Sequence, residues 1–316
     1  MLTAAAVDRA RTYVATAARP LARARLRCLL DGTSIEELVD ALRDFQVDDG
    51  GFGRALESDC RAPEASVLAT LTALDILRMH EAPGDHPLVA QACDWLLAHV
   101  EEDDAGRAVW PFLPPSAQAS PHAPWWDQRE PGQLAATFDG FVANPGVAIT
   151  AHLWRHHAAG GSVPAELLDR LTEQTRQVVR AGVAAEEVNA HDALAHFAGE
   201  SATPADVRAE VVDYLSAVLP ERVLRTEGGY TTYGIHPLWI APSPTHPLAP
   251  VLASEIESAL EAAIADQEPD GSWAPFWNWG GGEHAEAWRV AEPEWRGTLV
   301  VRNLAALTAY GRVSAE

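Results

Sequence analysis

The chain has 316 residues, of which 47% are hydrophobic, so it is long and apolar enough to bury a sizeable core. Its formal net charge of −22 argues against a nucleic-acid partner and an anionic membrane surface, because both require a basic face. All 23 basic residues are arginine, which excludes lysine Schiff-base chemistry and a Walker-type phosphate lysine.

The cysteines and the N-terminal segment indicate the cellular compartment in which we expect the protein. Cys28, Cys60 and Cys93 are isolated and odd in number, so we expect neither a disulfide framework nor a cysteine-rich zinc site. No apolar run reaches the roughly 18 residues that a membrane-spanning helix needs. The amphipathic N-terminus also lacks the apolar core of a signal peptide. We therefore expect a cytoplasmic protein without stable membrane insertion, and its oligomeric state stays open.

Short segments of helical period recur along the chain and are dominated by alanine and leucine, which predicts an all-α fold. Several segments begin with a capping residue or a proline, such as Ser34, Pro145 and Pro164. In chain order, the predicted helices are roughly 2–18, 20–30, 34–45, 64–79, 86–100, 145–158, 164–180, 184–198, 204–219, 252–267 and 297–311.

The connections between these helices alternate in length. The short ones are predicted at 80–85, 159–163 and 199–203, and the long ones, rich in Gly, Pro and Trp, at 46–63, 101–144, 220–251 and 268–296. If neighbouring helices are antiparallel, the long loops emerge at one end, where ordered long loops usually carry function. The turn predicted near 181–183 is the exception, because it is short where a long loop is expected. We expect a single domain over 1–316, with a repeat region at about 34–311 on which the N-terminal helices within 1–31 pack.

Two of the long loops open with nearly the same phrase. Residues 45–53 read FQVDDGGFG and residues 266–273 read DQEPDGSW, and weaker versions are EGGY at 227–230 and the pair Gly106 and Trp110. In this phrase the glycine turns the chain after a helix end, and the aromatic ring folds back over that end. The glutamine is placed to bond the terminal carbonyls of the helix.

This phrase resembles the QW-type repeats of the squalene–hopene cyclase and protein prenyltransferase β-subunit superfamily. The resemblance implies an α/α toroid, in which two rings of helical hairpins enclose a central apolar cavity. The segments at 50–59 (GGFGRALESD) and 121–126 (PHAPWW) are similar to bacterial cyclase-like proteins without an assigned function.

The resemblance does not extend to the zinc site of the prenyltransferases. Those enzymes hold zinc with an Asp-x-Cys pair and a later His, whereas here Asp59 and Cys60 are adjacent and Asn144 stands at the later position. Two of the three ligands are missing, and zinc needs three good protein ligands. We therefore expect no metal and no cofactor from this motif.

Class II terpene cyclases start their reaction with an acidic Asp in a DxDD motif, which this chain lacks. A carboxyl group in an apolar cavity has a raised pKa and can serve as a proton donor instead. The candidate catalytic residues are Glu57, Asp59 and Asp139, which lie on the expected approaches to inner helices. The expected function is a terpene cyclase-like isomerase, which cyclises or rearranges an isoprenoid or another apolar small molecule.

Aromatic residues concentrate in the long loops. Nine of the eleven tryptophans lie in the loops at 101–144, 220–251 and 268–296. Aromatic faces stabilise a nearby cation by roughly 0.5–2 kcal/mol each, which suits a carbocation in a dry pocket. The candidate substrate-binding residues are Phe52, Arg54, Trp110, His122, Trp125, Trp126, Asn144, Tyr230, Tyr233, His236, Trp277 and Trp279.

Two other classes of function fit the same features. A carbohydrate-active lyase or hydrolase of the α/α toroid type would stack sugars on tryptophan and use two of the three carboxyls. A non-catalytic protein would bind a small molecule in the aromatic cleft.

The histidines offer a weaker signal. His152 and His156 share a helix face, but no third ligand is evident, and His191 and His196 are poorly spaced for one face. We expect these four to be surface or interface histidines.

Overall fold

The computed structural model describes residues 1–225 and 232–314. Within these residues the protein is 58% helical and 4% strand, so the predicted all-α fold class is confirmed. The helices are α1 (Ala4–Ala17), α2 (Pro20–Asp31), α3 (Ile35–Arg43), α4 (Val67–Met79), α5 (Pro87–Ala98), α6 (Gln133–Thr137), α7 (Gly146–Ala158), α8 (Ala165–Ala181), α9 (Val188–Gly199), α10 (Ala205–Val218), α11 (Pro237–Ile240), α12 (Ala253–Ala265) and α13 (Ala285–Ala309). A two-stranded antiparallel ribbon joins β1 (Glu101–Glu102) to β2 (Ala108–Val109).

Each predicted helix coincides with an observed one, and the main difference is the start of α13. The sequence predicts a loop up to residue 296, whereas α13 begins at Ala285 and runs through Pro293. A proline removes one helical hydrogen bond, here the one to the carbonyl of Arg289. Arg289 is exposed, so water can bond that carbonyl. The same finding corrects the placement of Trp288 and Trp295, which are helical rather than in a loop.

One compact unit spans Arg43–Ala217. In it α7 packs against α5, α8 and α9, and α4 packs against α5. Most residues of α4, α7 and α9 are buried, whereas α8 and α10 bury only one stripe. Arg176 on α8 joins these two amphipathic helices through ion pairs with Asp206 and Glu210 on α10. Within this unit α4, α7 and α9 therefore form an inner layer covered by the more polar helices.

The other unit comprises Met1–Leu42 and Val218–Glu316. Here α13 packs against α1 and α2, and α11 packs against α12. The backbone of Leu2 donates to the carbonyl of Arg312 at 2.7 Å and accepts from the amide of Ser314 at 2.8 Å. These bonds hold the two ends of the described chain together.

The repeated phrase folds in the same way in both units. The side-chain amide of Gln46 donates to the carbonyl of Gly50 at 3.2 Å, and that of Gln267 donates to Gly271 at 3.1 Å. Both glycines have a left-handed φ, +94° and +91°, as the turn requires. The indole of Trp273 donates to a carbonyl in the last turn of α12 at 2.8 Å, so this ring covers its helix end as expected.

Two of the expected features stay predictions. They are the closure of the helices into a toroid and a single domain over 1–316. Within residues 1–225 and 232–314, no helix combines the length and the apolar character that crossing a bilayer requires.

Candidate functional site

The first two predicted carboxylates lie in one local turn. The carboxylate of Glu57 accepts a hydrogen bond from the backbone amide of Asp59 at 2.8 Å, and the Asp59 side chain is buried. The Asp59 carbonyl accepts from the amide of Ala123, and Cys60 forms a β-bridge with His122. The turn therefore packs against the segment that contains His122, Trp125 and Trp126.

His122 is buried and has a defined hydrogen-bond geometry. Its Nδ1 lies 2.7 Å from the carbonyl of Ser120, which can only accept, so Nδ1 carries the proton. Its Nε2 is then an acceptor, 3.5 Å from the side-chain amide of Gln118. His122 thus stabilises the loop through both ring nitrogens.

Four rings form a cluster that we call the aromatic wall: Phe112, Trp126, Phe138 and Phe141. Phe138 lies 4.9 Å from both Phe112 and Trp126, measured between ring centroids, and Trp126 stacks on it. The indole N–H of Trp126 is buried and has no hydrogen-bond partner. Trp125 is only half-buried and is not part of the wall.

Asp139, the third predicted carboxylate, lies in the sequence between Phe138 and Phe141, two residues of this wall. Asp139, Gly140 and Phe141 have successive left-handed φ values of 46°, 66° and 65°. Such backbone is costly for non-glycine residues and is concentrated at functional sites. The Asp139 side chain is exposed. Burial, together with the negative charge of Asp139, raises the pKa of Glu187, which precedes α9.

A cleft of about 710 Å³ opens beside the aromatic wall and includes Phe141 in its lining. Its apolar side also contains Val67, Trp95, Leu113 and Leu134. Its polar side contains four acidic residues and no arginine: Asp49, Glu64, Glu101 and Glu130. Among the predicted substrate-binding residues that the structure describes, none lines this cleft.

Four further predicted residues have contacts of their own. Phe52 is fully buried, and its amide donates to the hydroxyl of Thr70 at 3.0 Å. Trp110 is also fully buried and donates to the carbonyl of Leu96 at 2.8 Å. The guanidinium of Arg54 donates to the carbonyl of Asp44, and Asn144 is half-buried before a cis proline bond. Substrate binding by these residues stays a prediction.

A second aromatic cluster lies in the unit that contains both chain ends. The ring of His236 stacks against those of Trp239 and Phe276, with centroids 4.7 and 4.5 Å away, and these two rings are 5.6 Å from each other. Burial lowers the pKa of His236 to about 4, so its ring is neutral at pH 7. Trp277 packs edge-on against Phe276 at 4.7 Å. Trp239 lies in the short helix α11, a correction to its predicted loop position.

The remaining predicted residues are less closely associated with these rings. Trp279 is buried at 5.9 Å from Trp288, whereas Tyr233 is 63% exposed. Tyr230 lies outside the described residues.

A polar cluster on the inner helices was not predicted as a site. It consists of Asp75 on α4, His152 on α7 and His196 on α9. Oδ1 of Asp75 lies 3.0 Å from Nε2 of His152 and 3.7 Å from Nδ1 of His196. The two imidazole rings meet edge to face, 4.4 Å apart. His156 and His191, the partners considered from sequence, bond the carbonyls of Gly84 and Glu187 instead.

The electrostatics of this cluster follow from burial and from neighbouring arginines. Burial lowers the pKa of both His152 and His196, and the positive charge of Arg78 lowers them further. Desolvation by the surrounding protein is the largest single effect and would raise the pKa of Asp75, but the hydrogen bond from His152 and the neighbouring charges, that of Arg78 among them, together outweigh it, so the net pKa is lowered. The cluster thus holds an ionised carboxylate and two neutral imidazoles at pH 7.

No known protein-family model matches this chain, and no curated protein sequence matches it.

Proposed function

We propose that this chain is a terpene cyclase-like enzyme of the α/α toroid kind, which isomerises an uncharged, largely apolar small molecule by proton transfer. We base this proposal on the electrostatic interaction of Glu187 with Asp139, which lies in the chain between Phe138 and Phe141 of the aromatic wall. Like-charged carboxyl groups favour a shared proton, and the raised pKa of Glu187 makes it the donor. Burial is the largest cause of this raised pKa, and the negative charges of Asp139 and Glu186 add to it.

The cleft supports the choice of substrate. Its volume of about 710 Å³ lies in the range of small-molecule sites, and an aromatic ring of the wall is part of its lining. Four acidic residues without a lining arginine would repel a diphosphate group. An isoprenoid alcohol or hydrocarbon therefore fits the cleft better than an isoprenoid diphosphate.

The proposed reaction conserves atoms and electrons. The Glu187 carboxyl gives its proton to one carbon of an alkene, and the π electrons of that alkene form the new C–H bond. The resulting tertiary cation is stabilised by ring faces while another alkene attacks it and closes a ring. Loss of a proton to the Glu187 carboxylate forms a new alkene and restores the acid, so the product is an isomer of the substrate.

The repeated turns support the superfamily resemblance. Gln46 with Gly50 and Gln267 with Gly271 make the same side-chain bond in two separate units. A turn that recurs with one geometry is typical of an array built from repeated hairpins. The resemblance to the cyclase superfamily is based on this turn.

Incubation with a panel of polyprenols and polyprenyl diphosphates, followed by mass spectrometry of extracts, tests the proposal. We expect a cyclic isomer from at least one polyprenol. Glu187→Gln should abolish the product and Asp139→Asn should reduce it. Glu166→Gln is the matched control, because its exposed carboxyl lies in the first turn of α8 and is not among the groups that raise the pKa of Glu187.

Two results would contradict this function. One is the absence of product from every member of the panel. The other is product that survives in the Glu187→Gln variant. Saturable binding of a polyprenol without turnover would instead indicate the non-catalytic binding protein.

A further inference from the structure

We infer that Asp75, His152 and His196 form a binding site for one divalent transition-metal ion, with Zn²⁺ as the first candidate. This inference does not depend on the proposed function. It concerns residues on the inner helices that the proton-transfer proposal does not use.

The donor geometry is suited to a single small ion. One ligand atom from each of the three residues lies within 4.8 Å of the other two. Bonds of about 2.0–2.1 Å to imidazole nitrogen and carboxylate oxygen place ligand atoms about 3–3.5 Å apart around zinc. The distances from Asp75 Oδ1 to the two histidines, 3.0 and 3.7 Å, bracket that range. Small side-chain shifts would therefore bring all three donors onto one ion.

A second observation comes from the ring of His196. Its side chain is only 8% exposed, and its Nε2 is buried without a hydrogen-bond partner. Buried polar atoms are nearly always paired, so an unpaired ring nitrogen requires an explanation. Coordination through Nδ1, the nitrogen that faces Asp75, would fix the tautomer of this ring with its proton on Nε2.

The site is accessible from one side. His152 is 1% exposed, whereas the Asp75 side chain is 43% exposed. The two histidines would thus bind an ion from its buried side, and solvent would reach the ion from the side of the Asp75 carboxylate. Three protein ligands leave a coordination position for water or substrate, as in catalytic rather than structural zinc sites.

The positive charge of Arg78 competes with a metal ion for the Asp75 carboxylate. Its guanidinium lies 3.7 Å from Asp75 Oδ1, one turn further along α4. Arg155 pairs with Glu200 at 3.9 Å, so its own charge is partly offset. Arg78 therefore weakens the affinity for a cation, and its removal should strengthen metal binding.

The donor set decides the class of ion. Two imidazoles and one carboxylate suit Zn²⁺ and neighbouring first-row ions, including Fe²⁺ and Co²⁺. Mg²⁺ and Ca²⁺ prefer oxygen ligands throughout, so they should not compete.

Metal binding by the purified full chain tests the inference. After chelator treatment and dialysis, titration with Zn²⁺ should load one ion per chain, measured by elemental analysis. Co²⁺ should give the visible absorption bands of a low-coordinate nitrogen–oxygen site, and Mg²⁺ should not displace either ion. His152→Ala, His196→Ala and Asp75→Asn should each abolish loading. His157→Ala is the control, because this histidine is exposed on the same helix.

Misfolding of the ligand variants could also abolish loading, so a further variant keeps all three ligands. Arg78→Gln should bind Zn²⁺ several-fold more tightly than the native chain. Absence of stoichiometric loading in the native protein, or equal loading in folded His196→Ala and His157→Ala variants, would overturn the inference. Unchanged affinity in Arg78→Gln would also contradict it. None of these metal-binding results affects the outcome of the polyprenol assay, so the two proposals can fail independently.

Discussion

The side-chain amide of Gln267 donates at 3.1 Å to the carbonyl of Gly271, four residues further along the chain. The same amide donates to the carbonyl of Ala6 on α1 at 2.9 Å, so it joins the turn to a neighbouring helix. Gln46 makes the equivalent pair of bonds, to Gly50 and to the side chain of Gln91 on α5. A glutamine at this position therefore ties both a loop and a packing partner to one helix end.

Truncation of either glutamine should destabilise the unit that contains it. Gln46→Ala removes two side-chain hydrogen bonds, and Gln267→Ala removes the equivalent two and an exposed third that Arg9 donates. Each of the two equivalent bonds contributes about 0.5–1.5 kcal/mol. We expect each to lower the free energy of unfolding by about 1–3 kcal/mol in urea titrations. Gln177→Ala, at an exposed position of α8, should change it by less than about 0.5 kcal/mol. A loss no larger than that of Gln177→Ala would show that the turns hold without their glutamines.

Alanine at the two turn glycines should have unequal effects. Gly50 and Gly271 share a left-handed φ, which costs an alanine about 1–2 kcal/mol. At Gly50 a Cβ would meet nothing closer than 3.6 Å, whereas at Gly271 it would lie 2.5 Å from the backbone nitrogen of Ala10. Gly271→Ala should therefore destabilise the protein by at least about 1 kcal/mol more than Gly50→Ala. Equal shifts in unfolding midpoint would refute the close approach at Ala10.

His236 should make stability depend on pH in acid. Its pKa in the folded protein is about 4, below the ordinary value near 6.5, so the unfolded chain binds more protons between these values. Its contribution is fully present above about pH 6.5 and is lost as the pH falls towards 4. The maximum loss is about 3 kcal/mol. Urea titrations from pH 7.5 to 4 should show a smaller decline in His236→Phe; the same decline in both proteins would contradict the assignment.

Two of the three thiols should be inert in the folded protein. Burial raises the pKa of Cys60 to about 11 and that of Cys93 to about 12. Because the thiolate is the reactive form, a thiol reagent at pH 8 should modify at most Cys28 in the native protein. All three should react in denaturant. Rapid modification of Cys93 in native conditions would show that α5 is less well packed than described.

The helices could be predicted because their signals are local. Pro164 and Pro204 directly precede the first residues of α8 and α10, and Ser66 caps α4 with a bond to the amide of Ala69. The predicted start of α13 was wrong because Pro293 and the nearby glycines are also signals for loops. Only the exposure of Arg289 in the fold shows why the proline is tolerated.

The candidate sites were less predictable because they depend on contacts between distant segments. Asp75 and His152 are 77 residues apart, and helical spacing within α7 suggested His156 as a partner instead. One local signal was present: Asp75 is an acidic residue in an otherwise apolar stretch of α4. Asp139 was identified from its flanking aromatics, but Glu187 was not, because nothing in its own segment places it near Asp139.

If a carboxyl proton starts the reaction, turnover in D₂O will label the product. The carboxyl of Glu187 exchanges with solvent, so protonation of the substrate alkene would place one deuterium on carbon. We expect a cyclic isomer one mass unit heavier than the product formed in H₂O, and no such product from Glu187→Gln. A product that carries no deuterium would contradict proton-initiated chemistry.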